Sequence, residues 1–163
     1  MSLSQFNIPS CDYDTDFGGW MYQQADILRN GDLSTLDFDH LEDEIRSRAL
    51  DISSSAKDHL GAMVDAALHL TYMQEVLSPE LVRYWRELYL QSLEFLQDIL
   101  AINRSLIDAL PPALPRRYDR ALRSAEIWHD NATSRFGFPV ECPWTVLQLV
   151  RKEVNLSEDG CAG

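Results

Sequence analysis

The residues best placed to do chemistry in this chain lie near the middle. His69 is flanked by Leu68, Leu70 and Met73, and Asp65 lies one turn before it. Trp85 and Arg86 follow after a proline-marked turn, with Arg83 just ahead of them. A histidine and an arginine drawn toward an apolar seam need partners, because a charge buried alone is costly. Asp65 and Glu87 are the partners within reach. Two readings follow from these residues: a satisfied network that fixes helix register, or a polar pocket between helices in which His69, Arg83, Trp85, Arg86 and Asp65 hold a carboxylate or phosphate.

Other constellations are weaker. Glu126-x-x-His129 is half of a di-iron carboxylate–histidine pattern, but a second Glu-x-x-His is missing. His40, His59, His69 and His129 never pair at i, i+4, so no metal site is expected. Cys142 sits between Pro139 and Pro143 and reads as a small packed residue rather than a nucleophile. No glycine-rich phosphate loop, Walker lysine or hydrolase elbow is present, so no cofactor and no catalytic residue is assigned. Enzymatic activity stays open, with the balance against it.

The elements that position these residues are helices. Apolar residues recur every three or four positions at Phe38, Leu41, Ile45, Ala49, Ile52, Ala56, Leu60, Met63, Ala67 and Leu70. They recur again at Leu81, Trp85, Leu88, Phe95, Ile99, Ile102, Leu106 and Leu110, with Ser92 as the polar exception. Such spacing lays a stripe along one helix face. A first helix is expected from a cap at Asp12 or Asp14 to Asn30-Gly31. A second runs from a cap at Asp37 or Asp39 to about Leu77, with Ser53-Ser54-Ser55 as a point of interruption. Ser78-Pro79-Glu80 starts a third, which Pro111-Pro112 ends. A fourth carries Leu114, Tyr118, Ala121, Leu122, Ala125, Trp128 and Ala132 and fades near Phe136-Gly137; a short helical piece follows at Thr145 to Val150. Short connections favour antiparallel neighbours. The fold class is therefore all-α, an antiparallel bundle of about four main helices plus a short C-terminal helical segment. A single domain is expected over 13–150, with a flexible arm at 1–12 and a flexible tail at 151–163. Levels counted from the Ser78 turn place His69 opposite Arg86.

Of 163 residues, 45% are hydrophobic and 25% charged, ordinary values for a globular chain. No apolar run is long enough for a membrane span, and the first ten residues lack the basic and apolar regions of a secretory leader. Three cysteines without paired spacing fit a reducing cytoplasm. The net charge of -12 argues against nucleic acid as a partner. Residues 1–44 hold ten acids against one base, Arg29. The acids at 42–44 are expected to answer the cluster Arg116, Arg117, Arg120 and Arg123 within the molecule.

Tyr13-Asp14-x-Asp16-Phe17-x-x-Trp20, then Ala25-Asp26-x-Leu28-Arg29 and Leu36-Asp37-x-x-x-Leu41-x-x-Glu44-Ile45, resemble the opening of the bacterial family catalogued as domain of unknown function number 29. Leu68-His69-Leu70, Arg83-x-Trp85-Arg86, Tyr118-x-x-Ala121 and Pro139-x-x-Cys142-Pro143-Trp144-x-x-Leu147-x-Leu149 resemble its later segments. Trp144 replaces an expected tyrosine, Asp43 a usual glutamate, and Gly18-Gly19 is unusual within a helix. The resemblance implies an all-helical fold and brings no activity or site residue. The acidic surface and the exposed candidates Tyr72, Tyr84 and Trp144 favour a non-catalytic module that binds a protein partner or forms a homo-oligomer. The alternative is an enzyme or small-anion binder at the His69–Arg86 end.

Overall fold

A computed structural model of the chain describes residues 11–129 and 132–151. Among them there is no strand. The fold is an all-α bundle with four long helices: α1 (Phe17–Asn30), α2 (Phe38–Tyr72), α3 (Pro79–Ile102) and α4 (Leu114–Trp128). Two short helices, α5 (Ala132–Phe136) and α6 (Val146–Val150), complete it. The expectations for 1–10 and 152–163 lie outside the described residues. The chain divides between Leu50 and Asp51 into two compact units, at a point inside α2.

In the N-terminal unit, α1 starts later than its acids suggest. Asp12 is spent on a turn, its Oδ1 accepting from the Asp14 N–H at 2.9 Å. The cap is Asp16, which accepts from the Gly19 N–H at 2.9 Å. Gly31 ends α1 with φ +75°, a conformation that a Cβ would strain. Asp37 precedes α2, and its Oδ1 accepts from the His40 N–H at 3.4 Å. The helix then runs unbroken through Ser53–Ser55 for 35 residues and stops at Tyr72, short of Leu77. Its apolar stripe is buried only from Ala56 onward, whereas Phe38 and Ile45 are exposed.

In the C-terminal unit, Ser78 caps α3 with Pro79 in its first turn. The rings of His69 and Trp85 stack, as do those of His59 and Phe95. Ten residues back along α2 thus match ten residues forward along α3, so the two run antiparallel. Helix α3 ends at Ile102 rather than Leu110. Asn103 leaves helical geometry, and both its backbone N–H and its side-chain amide donate to the Ile99 carbonyl, at 3.0 and 2.9 Å. A 3₁₀ run, Arg104–Ala109, then delivers Leu106 and Leu110 to the core. Helix α4 buries Leu114, Tyr118, Ala121 and Ala125 but ends at Trp128, which is exposed. Tyr72 and Trp144, expected on the surface, are partly buried, with Tyr72 packing against both Phe138 and Trp144.

Two buried phenols lash the C-terminal segment to the long helices. Tyr118 donates to the Pro139 carbonyl and Tyr89 to the Leu149 carbonyl, each at 2.8 Å. Burial pushes the Tyr89 phenol up to about 12, so it remains a donor. Tyr89→Phe takes the hydroxyl donor away from a buried carbonyl and is expected to cost about 1–2 kcal/mol. In thermal melts of a chain this size, that is a fall of roughly 2–8 °C.

Candidate functional site

The structure brings Asp65, His69 and Trp85 together. His69 is 1% exposed, and its ring lies on Trp85 with centroids 3.9 Å apart and planes 13° from parallel. Its Nδ1 bonds the Asp65 backbone carbonyl at 2.8 Å, which fixes the neutral ring as the Nδ1–H tautomer. Asp65 Oδ1 lies 3.4 Å from the same nitrogen. That distance suits an ion pair, but the acid–base balance opposes one. An ion pair would lower the acid and raise the base. Burial instead raises Asp65 to about 6, and Arg120 pulls it back only in part. Burial also lowers His69, and His129 adds to the effect. Desolvation outweighs attraction here, so both groups are driven toward their neutral forms. Asp65 Oδ1 and His69 Nε2 are buried with no hydrogen-bond partner among the described residues. Arg83 is exposed and Arg86 half-buried; the cation that acts on Asp65 is Arg120.

On its other side Asp65 lines a cleft of about 490 Å³ between α2 and α4, with Gly61, Arg117, Arg120 and Ser124. A second cleft of about 590 Å³ shares Asp58, Arg117 and Arg120 with it and adds Lys57, Arg116 and Arg123. Arg117 Nη1 pairs with Asp58 Oδ1 at 2.8 Å, while Arg120 acts on Asp65 seven residues further along α2. The two helices therefore run in the same direction. Gly61 makes room for this packing: a Cβ there would come within 3.1 Å of Arg117 Cδ. The partners of Arg117, Glu42 and Glu44 lie within their own units. Arg117 is paired with Asp58, Glu42 with Arg46, and Glu44 accepts from the Tyr13 hydroxyl. Arg116, Arg120 and Arg123 make no ion pair among the described residues.

The remaining motifs have structural roles. Glu126 accepts from the Ala132 N–H at 3.0 Å, at the start of α5. Cys142 donates weakly to the Trp144 carbonyl, and burial raises its thiol, which works against a nucleophile. Among the described residues no cluster of three or more metal-ligating side chains occurs, and no helix is long and apolar enough to cross a membrane.

Within the N-terminal unit a polar chain arises that spacing did not reveal. Asp37 Oδ2 accepts from Trp20 Nε1–H at 3.1 Å and meets His40 Nδ1 at 2.7 Å. The bond to His40 lowers Asp37, and the same bond raises His40. Tyr13 stacks on His40 at 4.1 Å and donates to Glu44 at 2.5 Å. Buried Gln24 accepts from the Asp37 N–H at 2.8 Å. Tyr13, Trp20, Asp37 and Glu44 are residues of the opening motif, so the motif reads as the frame of this unit. Around the frame much apolar surface stays open. Phe17, Met21 and Leu28 share one side of α1, and Phe38 and Ile45, seven residues apart, share one side of α2; all five are exposed.

No curated protein and no solved structure matches the chain. A family model matches over residues 13–154, which takes in both the N-terminal frame and the Asp65–His69–Trp85 cluster. The chain belongs to the family described as domain of unknown function DUF29.

Proposed function

We propose that the protein is a non-catalytic interaction module whose N-terminal unit docks a protein partner carrying apolar side chains within a cationic rim. One observation carries this reading: in residues 11–50 the exposed large apolar side chains outnumber the buried ones. Trp20 and Leu36 are buried, while Phe17, Met21, Tyr22, Leu28, Leu33, Phe38, Ile45 and Leu50 are exposed. Phe17, Met21 and Leu28 group on one side of α1 and Phe38 and Ile45 on one side of α2, and grouped apolar surface marks interaction sites where scattered single residues do not. The charge of the segment fixes the sign of the partner. Ten acids within residues 1–44 repel a second copy of the same segment and attract lysine or arginine. Docking through this face therefore favours a different protein over a homo-oligomer.

A helical peptide with a leucine face and a lysine face is a direct probe. It is expected to bind the wild-type chain at physiological salt and to weaken at least tenfold against Met21→Ser/Ile45→Ser. Two buried apolar side chains are worth about 1.5–3 kcal/mol each, and 1.4 kcal/mol is a factor of ten. Both positions are exposed, so the fold should hold. Equal binding of a leucine–glutamate peptide, or full affinity in the double variant, would refute the reading. The larger cleft supports a second reading, small-anion binding in the C-terminal unit, carried by Arg116, Arg117, Arg120 and Arg123 rather than by Arg83 or Arg86.

A further inference from the structure

The two clefts between α2 and α4 differ in character although they share a wall. The larger is cationic, with Lys57, Arg116 and Arg123 lining it alone and Arg117 and Arg120 on the shared wall. One of those charges is answered by Asp58. The smaller cleft contains Asp65 and Ser124 and no cation beyond the shared two. Such a concentration of positive charge is unusual in a chain of net charge -12. Guanidinium groups bind phosphate and carboxylate oxygens in pairs, so the larger cleft is an anion subsite. Asp65 at the other end calls for the opposite sign. Its carboxylate is costly where it stands, and a cationic donor beside it would relieve that cost.

The spacing sets the length of the occupant. Asp58, beside Arg117, and Asp65 are seven residues apart on one helix, roughly 10 Å at 1.5 Å per residue. Volumes of about 490 and 590 Å³ suit a small molecule and are too small for a nucleic-acid duplex. We propose that the paired clefts bind an elongated amphoteric small molecule, its phosphate or carboxylate among the arginines and its ammonium group against Asp65 and Ser124. All its lining residues belong to the C-terminal unit, and the proposal stands or falls independently of the docking reading.

Three probes of similar length test this by calorimetry at pH 7.5: 6-aminohexyl phosphate, hexyl phosphate and hexylamine. The aminophosphate is expected to bind about tenfold more tightly than hexyl phosphate, and hexylamine to show no saturable binding. Arg120→Gln/Arg123→Gln should weaken both phosphates at least tenfold, and these exposed positions leave the core intact. Asp65→Asn should bring the two phosphates to equal affinity while hexyl phosphate binds as before. Equal binding of the two phosphates to the wild type, a preference that survives Asp65→Asn, or no saturable binding of either would each overturn the proposal.

Discussion

Trp85→Ala is expected to be the most damaging single change considered for the C-terminal unit, at about 3–5 kcal/mol. The indole is 8% exposed and lies flat on His69, so truncation opens a cavity against a titratable ring. The loss is a large part of the 5–15 kcal/mol that holds a typical domain together. Chemical denaturation should show an earlier midpoint, and heating a melting temperature lower by roughly 6–20 °C. Trp85→Phe keeps a ring on the imidazole and should lose much less. The same pair tests the electrostatics. His69 lies below its ordinary value because of burial, so water admitted by the alanine variant should raise it toward 6.5 in an NMR titration. A His69 titration unchanged in Trp85→Ala would show that the indole does not keep water from the ring.

Asp65→Asn should have the opposite sign, a gain that depends on pH. Folding raises the acid from 3.8 to about 6. Below 3.8 both folded and unfolded chains carry the proton, and burial of the group adds no penalty. As pH rises, the unfolded chain releases its proton first, and the folded state loses relative stability until the folded group also ionises near 6. Above that the penalty is constant, at about 3 kcal/mol. Asparagine removes it. The variant should therefore exceed the wild type by up to about 3 kcal/mol at pH 7.5, and by about 1 kcal/mol at pH 4.5. His69 acts in the other sense. Its folded value lies below 6.5, so its contribution is present above 6.5 and is lost as pH falls. Denaturation curves at both pH values separate the two groups. A constant difference between Asp65→Asn and wild type would show that the carboxyl titrates normally in the fold. Retaining an acid at such a cost, at the edge of a cleft, is what a binding role would require.

The rods of this fold and most of their ends were written locally. Ser78-Pro79, Asn30-Gly31 and Thr145 act within a turn or two of themselves, and a 3.6-residue stripe needs only the helix that carries it. Where a local rule met a local competitor, the boundary moved: Asp12 closed a turn instead of capping α1, and Asn103 stopped α3 before the prolines. The level of His69 was also legible, because a short turn fixes register. Counting placed it opposite Arg86, and packing set it on Trp85, one residue away.

Only the tertiary structure decided which parts of a stripe are covered, and by what. Phe38 and Ile45 share the periodicity of Leu60 and Met63, yet the first two are exposed and the last two buried. Periodicity says which side chains share a face and nothing about whether another helix meets it. The same limit applies to charge. Arg117 found Asp58 and left its neighbours facing a cleft, and Asp65 shifted toward neutrality, because ion pairing and desolvation depend on distances and solvent access in three dimensions that no spacing along the chain encodes.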